Sequence, residues 1–189
     1  MSGAAHSVWL VRHGETAWSR DGLHTSTTEV ELTDDGVATA GLLEAKLGDH
    51  AFALVLTSPR ERARRTAALA GFPDAVVDDD LAEWGYGDYE GIATPEIRRT
   101  VPGWTVWSHP SPGGETAADV GQRTDRVIER VWAVGGDVLV FGHGHALRAL
   151  TARWLGQPVA EGRFYKLGTG TVSVLGYERE SPVIERWNA

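Results

Sequence analysis

The stretch Val8-Trp9-Leu10-Val11-Arg12-His13-Gly14-Glu15-Thr16 decides how this chain is read. Four consecutive apolar residues with no polar alternation predict a strand covered on both faces. The run stops at Arg12 and His13, which places both at the strand's carboxyl end. Gly14 then lets the backbone turn away without a Cβ penalty. Open α/β sheets bind ligands outside the carboxyl ends of their strands. The same pattern returns in Asp137-Val138-Leu139-Val140-Phe141-Gly142-His143-Gly144-His145. Two buried strands, each delivering a histidine beside a glycine, predict one pocket assembled from distant segments.

Outward from the first strand, a polar loop is expected from Ser19 to Glu31, long enough to be functional. Thr33 is placed to cap a helix with acids in its first turn; Val37, Ala40, Leu43 and Leu47 keep helical spacing, and Gly48 ends it. Phe52 to Thr57 reads as a strand. Ser58-Pro59 reads as the start of a second helix, with proline in its first turn. Val76-Val77 is a short strand. Leu81 to Pro112 is rich in glycine, proline and aromatic residues and holds one clear helix, starting at Thr94-Pro95. It reads as an irregular excursion that covers a pocket. A long helix runs from about Thr116 to Val134, with Val120, Val127, Ile128 and Val131 on its apolar face. After the His143 strand come a helix from Ala146 to Leu155 and strands at Thr171 to Leu175 and Val183 to Trp187. Alternating strands and helices predict an α/β fold: a mainly parallel sheet with helices on both faces, and antiparallel pairing at the last strands.

With 189 residues and no internal repeat or linker, the chain is expected to form one domain over 1–189, with the excursion at about 81–112. A net charge of −8 argues against a general nucleic-acid binder. No apolar run approaches the roughly 20 residues of a membrane span, and the N-terminus does not read as a secretory leader. The absence of cysteine excludes disulfides and thiolate metal sites and fits a reducing cytoplasm, the expected location.

Arg12, Arg62, His13 and His143 together suit a phosphoryl group. Guanidinium forks match phosphate oxygens, a neutral histidine can attack phosphorus, and a second histidine can add to the charge around the oxyanion. The helix N-termini after Gly14 and Gly144 are candidate backbone donors. Spacing alone does not separate Arg62 from its neighbours Arg60, Arg64 and Arg65, any of which could be solvated.

The motifs separate them by resemblance. Arg12-His13-Gly14-Glu15-Thr16 with Trp18 resembles the opening signature of the histidine phosphatase superfamily, which includes the cofactor-dependent phosphoglycerate mutases. Ser58-Pro59-Arg60-Glu61-Arg62-Ala63-Arg64-Arg65-Thr66-Ala67 is similar to its second block. Leu81-Ala82-Glu83, Gly113-Gly114-Glu115-Thr116 and Gly142-His143-Gly144 resemble three more. Five blocks in order are specific to the superfamily. The resemblance implies a three-layer α/β/α sandwich of the phosphoglycerate mutase type. It implies that His13 forms a phosphohistidine, that Arg12, Arg62 and His143 hold the phosphoryl oxygens, and that Glu83 is general acid and base. It also puts Gly144, Thr25 and Ser19 near the substrate phosphate, Ser19 standing where the family usually has asparagine. No metal and no cofactor are implied.

Trp84-Gly85-Tyr86 follows Glu83 where the mutases place an arginine, and the chain lacks their longer insertion. Trp84, Tyr86-Gly87-Asp88-Tyr89-Glu90-Gly91, Thr94-Pro95-Glu96-Ile97-Arg98 and Gly142-His143-Gly144-His145-Ala146-Leu147-Arg148 look more like small actinobacterial acid phosphatases and fungal sedoheptulose bisphosphatases. The reading is therefore a metal-independent phosphomonoesterase acting on small organic phosphates. A phosphoglycerate mutase and a non-catalytic phosphate-binding module are the alternatives. Trp84, Trp104 and Trp107 read equally as core or as pocket wall. His24 and His145 are candidates for a second polar group of the substrate; His145 reads equally as a residue orienting His143 or capping a helix. The sequence leaves the oligomeric state open, a homodimer being one option.

Overall fold

The structure, a computed structural model, describes residues 6–189. Met1 to Ala5, which open the expected domain and bear on the leader reading, lie outside the described residues. Six strands form one sheet: β1 (Val8–Arg12), β2 (Leu54–Thr57), β3 (Val76–Val77), β4 (Val138–Gly142), β5 (Val172–Glu178) and β6 (Ser181–Arg186), in the spatial order β3-β2-β4-β1-β5-β6. β3, β2, β4 and β1 are parallel; β5 pairs antiparallel with β1, and β6 with β5.

Register follows from the apolar runs. Val8 faces Val138 and Leu10 faces Val140, while Trp9 faces Leu139 and Val11 faces Phe141. Because side chains alternate along a strand, the two sets enter different cores. Val8, Leu10, Leu56, Val138 and Val140 pack with Val127, Ile128, Leu147 and Leu150, which come from helices α6 (Ala117–Val134) and α7 (Gly144–Trp154). Val11, Leu139 and Phe141 pack with Ala40, Leu43 and Ala67, from α2 (Asp34–Gly41), α3 (Leu43–Leu47) and α4 (Glu61–Leu69). Burying each large apolar side chain stabilises the sheet by roughly 1.5–3 kcal/mol, so strands covered on both faces need near-continuous apolar sequence.

The chain leaves β1 toward β2 on one side and leaves β4 toward β5 on the other. The carboxyl ends of neighbouring β1 and β4 are thus a topological switch point, where open α/β sheets form their crevice. His13 and His143 follow these two strand ends.

Several expected boundaries move: β2 begins at Leu54 and not Phe52, α7 begins at Gly144 and not Ala146, β5 runs on to Glu178, and β6 is Ser181–Arg186. The loop after β1 begins with a helical turn, α1 (Ala17–Asp21), because Thr16 and Ser19 form a reciprocal capping box. The helix expected from Thr33 to Gly48 is two helices that break at Leu42, although Thr33 does cap the first. The Ser58-Pro59 helix starts later, at Glu61, because Arg60 keeps extended backbone and is the residue before its first turn, while the Ser58 hydroxyl meets His143. The long helix, its Gly135 terminus and the proline-started helix α5 (Thr94–Thr100) are as the sequence indicates. No helix among the described residues is long and apolar enough to cross a membrane.

Candidate active site

The floor of the site is built where β1 and β4 end. His13 Nδ1 lies 2.7 Å from the Gly14 carbonyl oxygen. A carbonyl only accepts, so Nδ1 carries the hydrogen and Nε2 keeps its lone pair. Burial first, then the charges of Arg12 and Arg62, push the His13 pKa well below the ordinary imidazole value, and the Gly14 bond offsets this only in part. The ring is therefore neutral at pH 7. Gly14 is required for packing as well as for the turn: a Cβ there would sit 2.5 Å from the Gly36 carbonyl oxygen at the start of α2.

His143 lies beside it, fully buried, with ring centroids 5.1 Å apart at 63°. Its Nε2 is 2.6 Å from Ser58 Oγ. Burial, then Arg62, His13 and Arg12, hold His143 neutral too. Ser58 Oγ accepts the Arg60 N–H at 3.3 Å and can give its own hydrogen to His143 Nε2. In that arrangement Nδ1 carries the hydrogen of the neutral ring.

Arg62 is 1% exposed, which answers the ambiguity left by spacing among the four arginines. Nη2 donates to the carbonyls of Thr25 and Ser26, and Nη1 to that of Thr28. The loop offering those carbonyls is held from outside by the Glu90 carboxylate, which accepts from the Ser26 N–H and hydroxyl and from the Thr28 N–H. Burial pushes the Glu90 carboxyl up, but these hydrogen bonds outweigh it and hold the pKa low. Arg12 donates from Nη1 to the Leu167 carbonyl at 2.6 Å and passes beneath Gly144, where a Cβ would stand 3.3 Å from the guanidinium carbon. Arg12 Nε, Arg62 Nε and His143 Nδ1 are buried with no hydrogen-bond partner. Orphaned buried donors are costly, at roughly 1–3 kcal/mol each, and an anion beside them would remove that cost.

Glu83 forms the opposite wall. Oε1 accepts the Trp84 N–H at 2.9 Å and the Ala146 N–H at 2.7 Å; Oε2 accepts the His145 N–H at 3.0 Å. The backbone donors expected to serve phosphate after Gly144 are thus occupied by a carboxylate. After Gly14 the helix start is that of the short α1, where Thr16 Oγ1 accepts the Ser19 N–H, and Gly14 N–H itself donates to Thr66 Oγ1. The fourth sequence block explains how Glu83 is fixed. Arg123 grips the Glu115 carboxylate at 2.8 and 3.0 Å and donates to the Asp80 and Ala82 carbonyls, while Glu115 accepts the Gly85 N–H. The backbone is clamped on both sides of Glu83.

A cleft of about 250 Å³ opens over this floor, lined by Arg12, His13, Glu83, Gly144, Ser19, Thr25, His24 and His145 among the expected residues. Ser19 and Thr25 face it with committed hydroxyls: Ser19 donates to the Thr16 carbonyl, Thr25 to that of Leu23. The hydrogen bond of His145 goes to neither His143 nor a helix cap: its Nδ1 meets the Tyr86 hydroxyl at 2.5 Å, and α7 has no side-chain cap. His24 bonds Thr94 Oγ1 at 3.1 Å, and burial lowers its pKa to about 4 against the opposing charge of Glu90.

Trp84, Trp104 and Trp107 are not cleft-wall residues. They join Tyr86, Ile97 and Val120 in a third apolar cluster under the excursion. The indole N–H groups of Trp84 and Trp104 reach the carbonyls of Glu115 and Pro110, so both rings are satisfied as core. They act on the cleft indirectly: Trp104 meets the His24 ring edge-on at 5.2 Å and Trp107 the His145 ring at 5.2 Å. Sequence reasoning missed Tyr86, Thr94 and Arg148 as cleft residues. All three stood inside the motifs that carry the resemblance, the one signal available. Among the described residues no three histidine, aspartate or glutamate side chains cluster as a metal site.

Comparison with known proteins agrees with this geometry. The model of the histidine phosphatase superfamily (branch 1) matches residues 8–189. An acid phosphatase of Mycobacterium tuberculosis is 44% identical over 177 residues, covering 92% of this chain and 87% of that protein. A sedoheptulose 1,7-bisphosphatase of Saccharomyces cerevisiae is 36% identical over 184 residues, covering 78% of this chain and 66% of that protein. A solved Mycobacterium tuberculosis structure superimposes with a TM-score of 0.93 at 42% identity, covering 97% of each chain.

Proposed function

This chain belongs to the histidine phosphatase superfamily, and from that premise we propose that it is a metal-independent phosphomonoesterase of small organic phosphates, with the reaction contained in one domain over 1–189. His13 Nε2 attacks phosphorus as the bond to the leaving oxygen breaks, giving a phosphohistidine. Glu83 donates its proton to that oxygen and then takes one from the water that cleaves the phosphorus–nitrogen bond. Arg12, Arg62 and the Nδ1–H of His143 stabilise the equatorial oxygens from fixed, buried positions, where such donors act most strongly. Ser58 positions His143 for that task.

The observation that carries the reading is the bond from His13 Nδ1 to Gly14, which leaves Nε2 as the nucleophilic nitrogen of a neutral ring. A module that only binds phosphate needs neither this nucleophile nor a clamped acid. The two curated relatives above are both phosphatases, which favours hydrolysis over the mutase alternative. The test is rapid quenching with ³²P-labelled substrate. An acid-labile, base-stable adduct is expected on His13 and is lost in His13→Ala. An adduct on His143, or none during turnover, overturns the assignment.

A further inference from the structure

We propose, on the phosphatase reading above, that Glu90 is a positioning residue of the reaction: from outside the 25–28 loop it fixes the three carbonyls that aim Arg62 at the phosphoryl group. Glu90 and Arg62 do not bond to each other; the loop stands between them. The Tyr89-Glu90-Gly91 stretch, which the mechanism leaves unused, thereby gains a task in it.

Thr25, Ser26 and Thr28 turn their carbonyl oxygens inward, 3.2, 3.1 and 3.1 Å from the Arg62 Nη atoms. Arg62 Nε has no partner among the described residues, so these carbonyls set the direction of the guanidinium. A trans peptide carries its C=O and N–H on opposite edges. The Ser26 N–H shares a peptide with the Thr25 carbonyl and therefore points outward, where it lies 2.9 Å from both Glu90 oxygens. The Thr28 N–H reaches Oε1 at 3.0 Å and the Ser26 hydroxyl reaches Oε2 at 2.5 Å. Convergent N–H groups make a cradle for an anion. The loop is thus a layer of peptide dipoles with a carboxylate on its positive side and a guanidinium on its negative side.

Among the described residues neither N–H has another acceptor. Arg60 also holds this stretch, but by an exposed bond of 3.3 Å to the Thr27 carbonyl, which Arg62 does not use. The next residue ties the motif to the start of the same loop: the Gly91 N–H donates to the His24 carbonyl at 2.8 Å. Glycine is required there, since its φ is 75° and a Cβ would stand 3.1 Å from the Trp18 ring. Trp18, from the opening signature, and Glu90 therefore fasten one loop from two sides. A donor stabilises developing charge best when its position is fixed before the reaction. Without Glu90 the three peptides are free to rotate, and Arg62 loses the frame that orients it.

Glu90→Ala removes every bond to the loop. Glu90→Gln keeps them: its carbonyl in the Oε1 place accepts both N–H groups, and its amide donates to the Ser26 hydroxyl, which can accept. Glu90→Ala should lower kcat/KM for p-nitrophenyl phosphate by about 10- to 100-fold, the worth of one charge-assisted hydrogen bond, and weaken calorimetric orthovanadate binding alike. Glu90→Gln should stay within about fivefold of the wild type. A double-mutant cycle separates aiming from general loosening. In an Arg62→Ala background Glu90→Ala should add less than about twofold, and in an Arg12→Ala background its full loss should persist. No loss in Glu90→Ala, equal losses in the Gln and Ala variants, or a full loss in both backgrounds overturns the proposal. If thermal melts show Glu90→Ala unfolded, Glu90→Asp, which draws the carboxylate back by one carbon, goes through the same cycles, with a loss of about threefold or more expected only where Arg62 is present. Orthovanadate affinity needs no turnover, so it decides the role of Glu90 even if the wild type releases no phosphate, a result that sinks the phosphatase reading alone.

Discussion

Replacing Glu83 with glutamine separates proton donation from mere shape. The carboxylate accepts three backbone N–H groups, two at Oε1 and one at Oε2, so the free lone pair that can carry a proton belongs to Oε2. Glutamine has one acceptor oxygen. It keeps the Trp84 and Ala146 bonds if that oxygen takes the Oε1 place, but its amide NH₂ then faces the His145 N–H, donor against donor. This mismatch should cost roughly 1–3 kcal/mol of stability, small enough for the protein to remain folded. The loss in rate should depend on the leaving group. An alkoxide needs a proton to depart, and general acids contribute on the order of 10²–10⁴-fold, or about 2.7–5.5 kcal/mol of barrier. p-Nitrophenolate leaves readily without one. Glu83→Gln should therefore slow formation of phosphohistidine from a sugar phosphate by about 10²-fold or more, and from p-nitrophenyl phosphate by far less. With the second substrate, a burst of p-nitrophenol should precede slow turnover, because the water that cleaves the adduct has lost its base. Single-turnover quench measurements on both substrates give the two ratios, with thermal melts to confirm folding. Equal losses would show that Glu83 holds the wall of the cleft and donates no proton.

Exhaustive EDTA treatment should leave the rate unchanged, since arginines and histidines supply the charge around the phosphoryl group; loss of activity restored by a divalent ion would refute this. With 3-phosphoglycerate and its bisphosphate, free phosphate should form faster than the 2-phospho isomer, and the reverse order would promote the mutase alternative. Ser58→Ala removes the 2.6 Å bond to His143 and should raise the inhibition constant for orthovanadate about tenfold, with a change in His143 tautomer visible in ¹⁵N NMR. His24, with its pKa near 4 when folded and about 6.5 when unfolded, binds more protons in the unfolded chain between those values. Stability should thus be fully present above pH 6.5 and fall by roughly 3 kcal/mol as pH drops toward 4, and urea titrations should show a shallower fall in His24→Gln.

What could be read from the sequence divides along a physical line. β1 and β4 were legible because a strand covered on both faces must be apolar throughout, and a polar residue ending such a run has to lie at the sheet's edge. That reasoning reaches His13, Arg12 and His143 without any relative. It stops at Arg62: four arginines within six residues look alike until a core forms around one of them, and only the motif resemblance selected it. Ser58 shows the reverse failure. Serine before proline is a good helix-start signal, yet Arg60 stays extended and the helix begins at Glu61, while the Ser58 hydroxyl meets both the Arg60 N–H and the His143 imidazole brought in by β4. The tryptophans were legible as apolar mass but not as to side. Whether Trp104 faces solvent, substrate or core depends on where Pro110 offers a carbonyl to its N–H, and that is set by folding of the excursion. Arg148 is the extreme case. In helical projection it is an arginine one turn into a helix, ordinarily a solvated position; only the packing of Val159–Phe164 against α7 supplies the two carbonyls that lock it, and only the placement of Trp107 gives it a face to lie on. Of the residues proposed to perform the chemistry, Arg12, His13 and His143 were written into strand ends, whereas Arg62 and Glu83 were not. Arg148 is fixed by contacts between segments that have no local signature, and reading it required the fold.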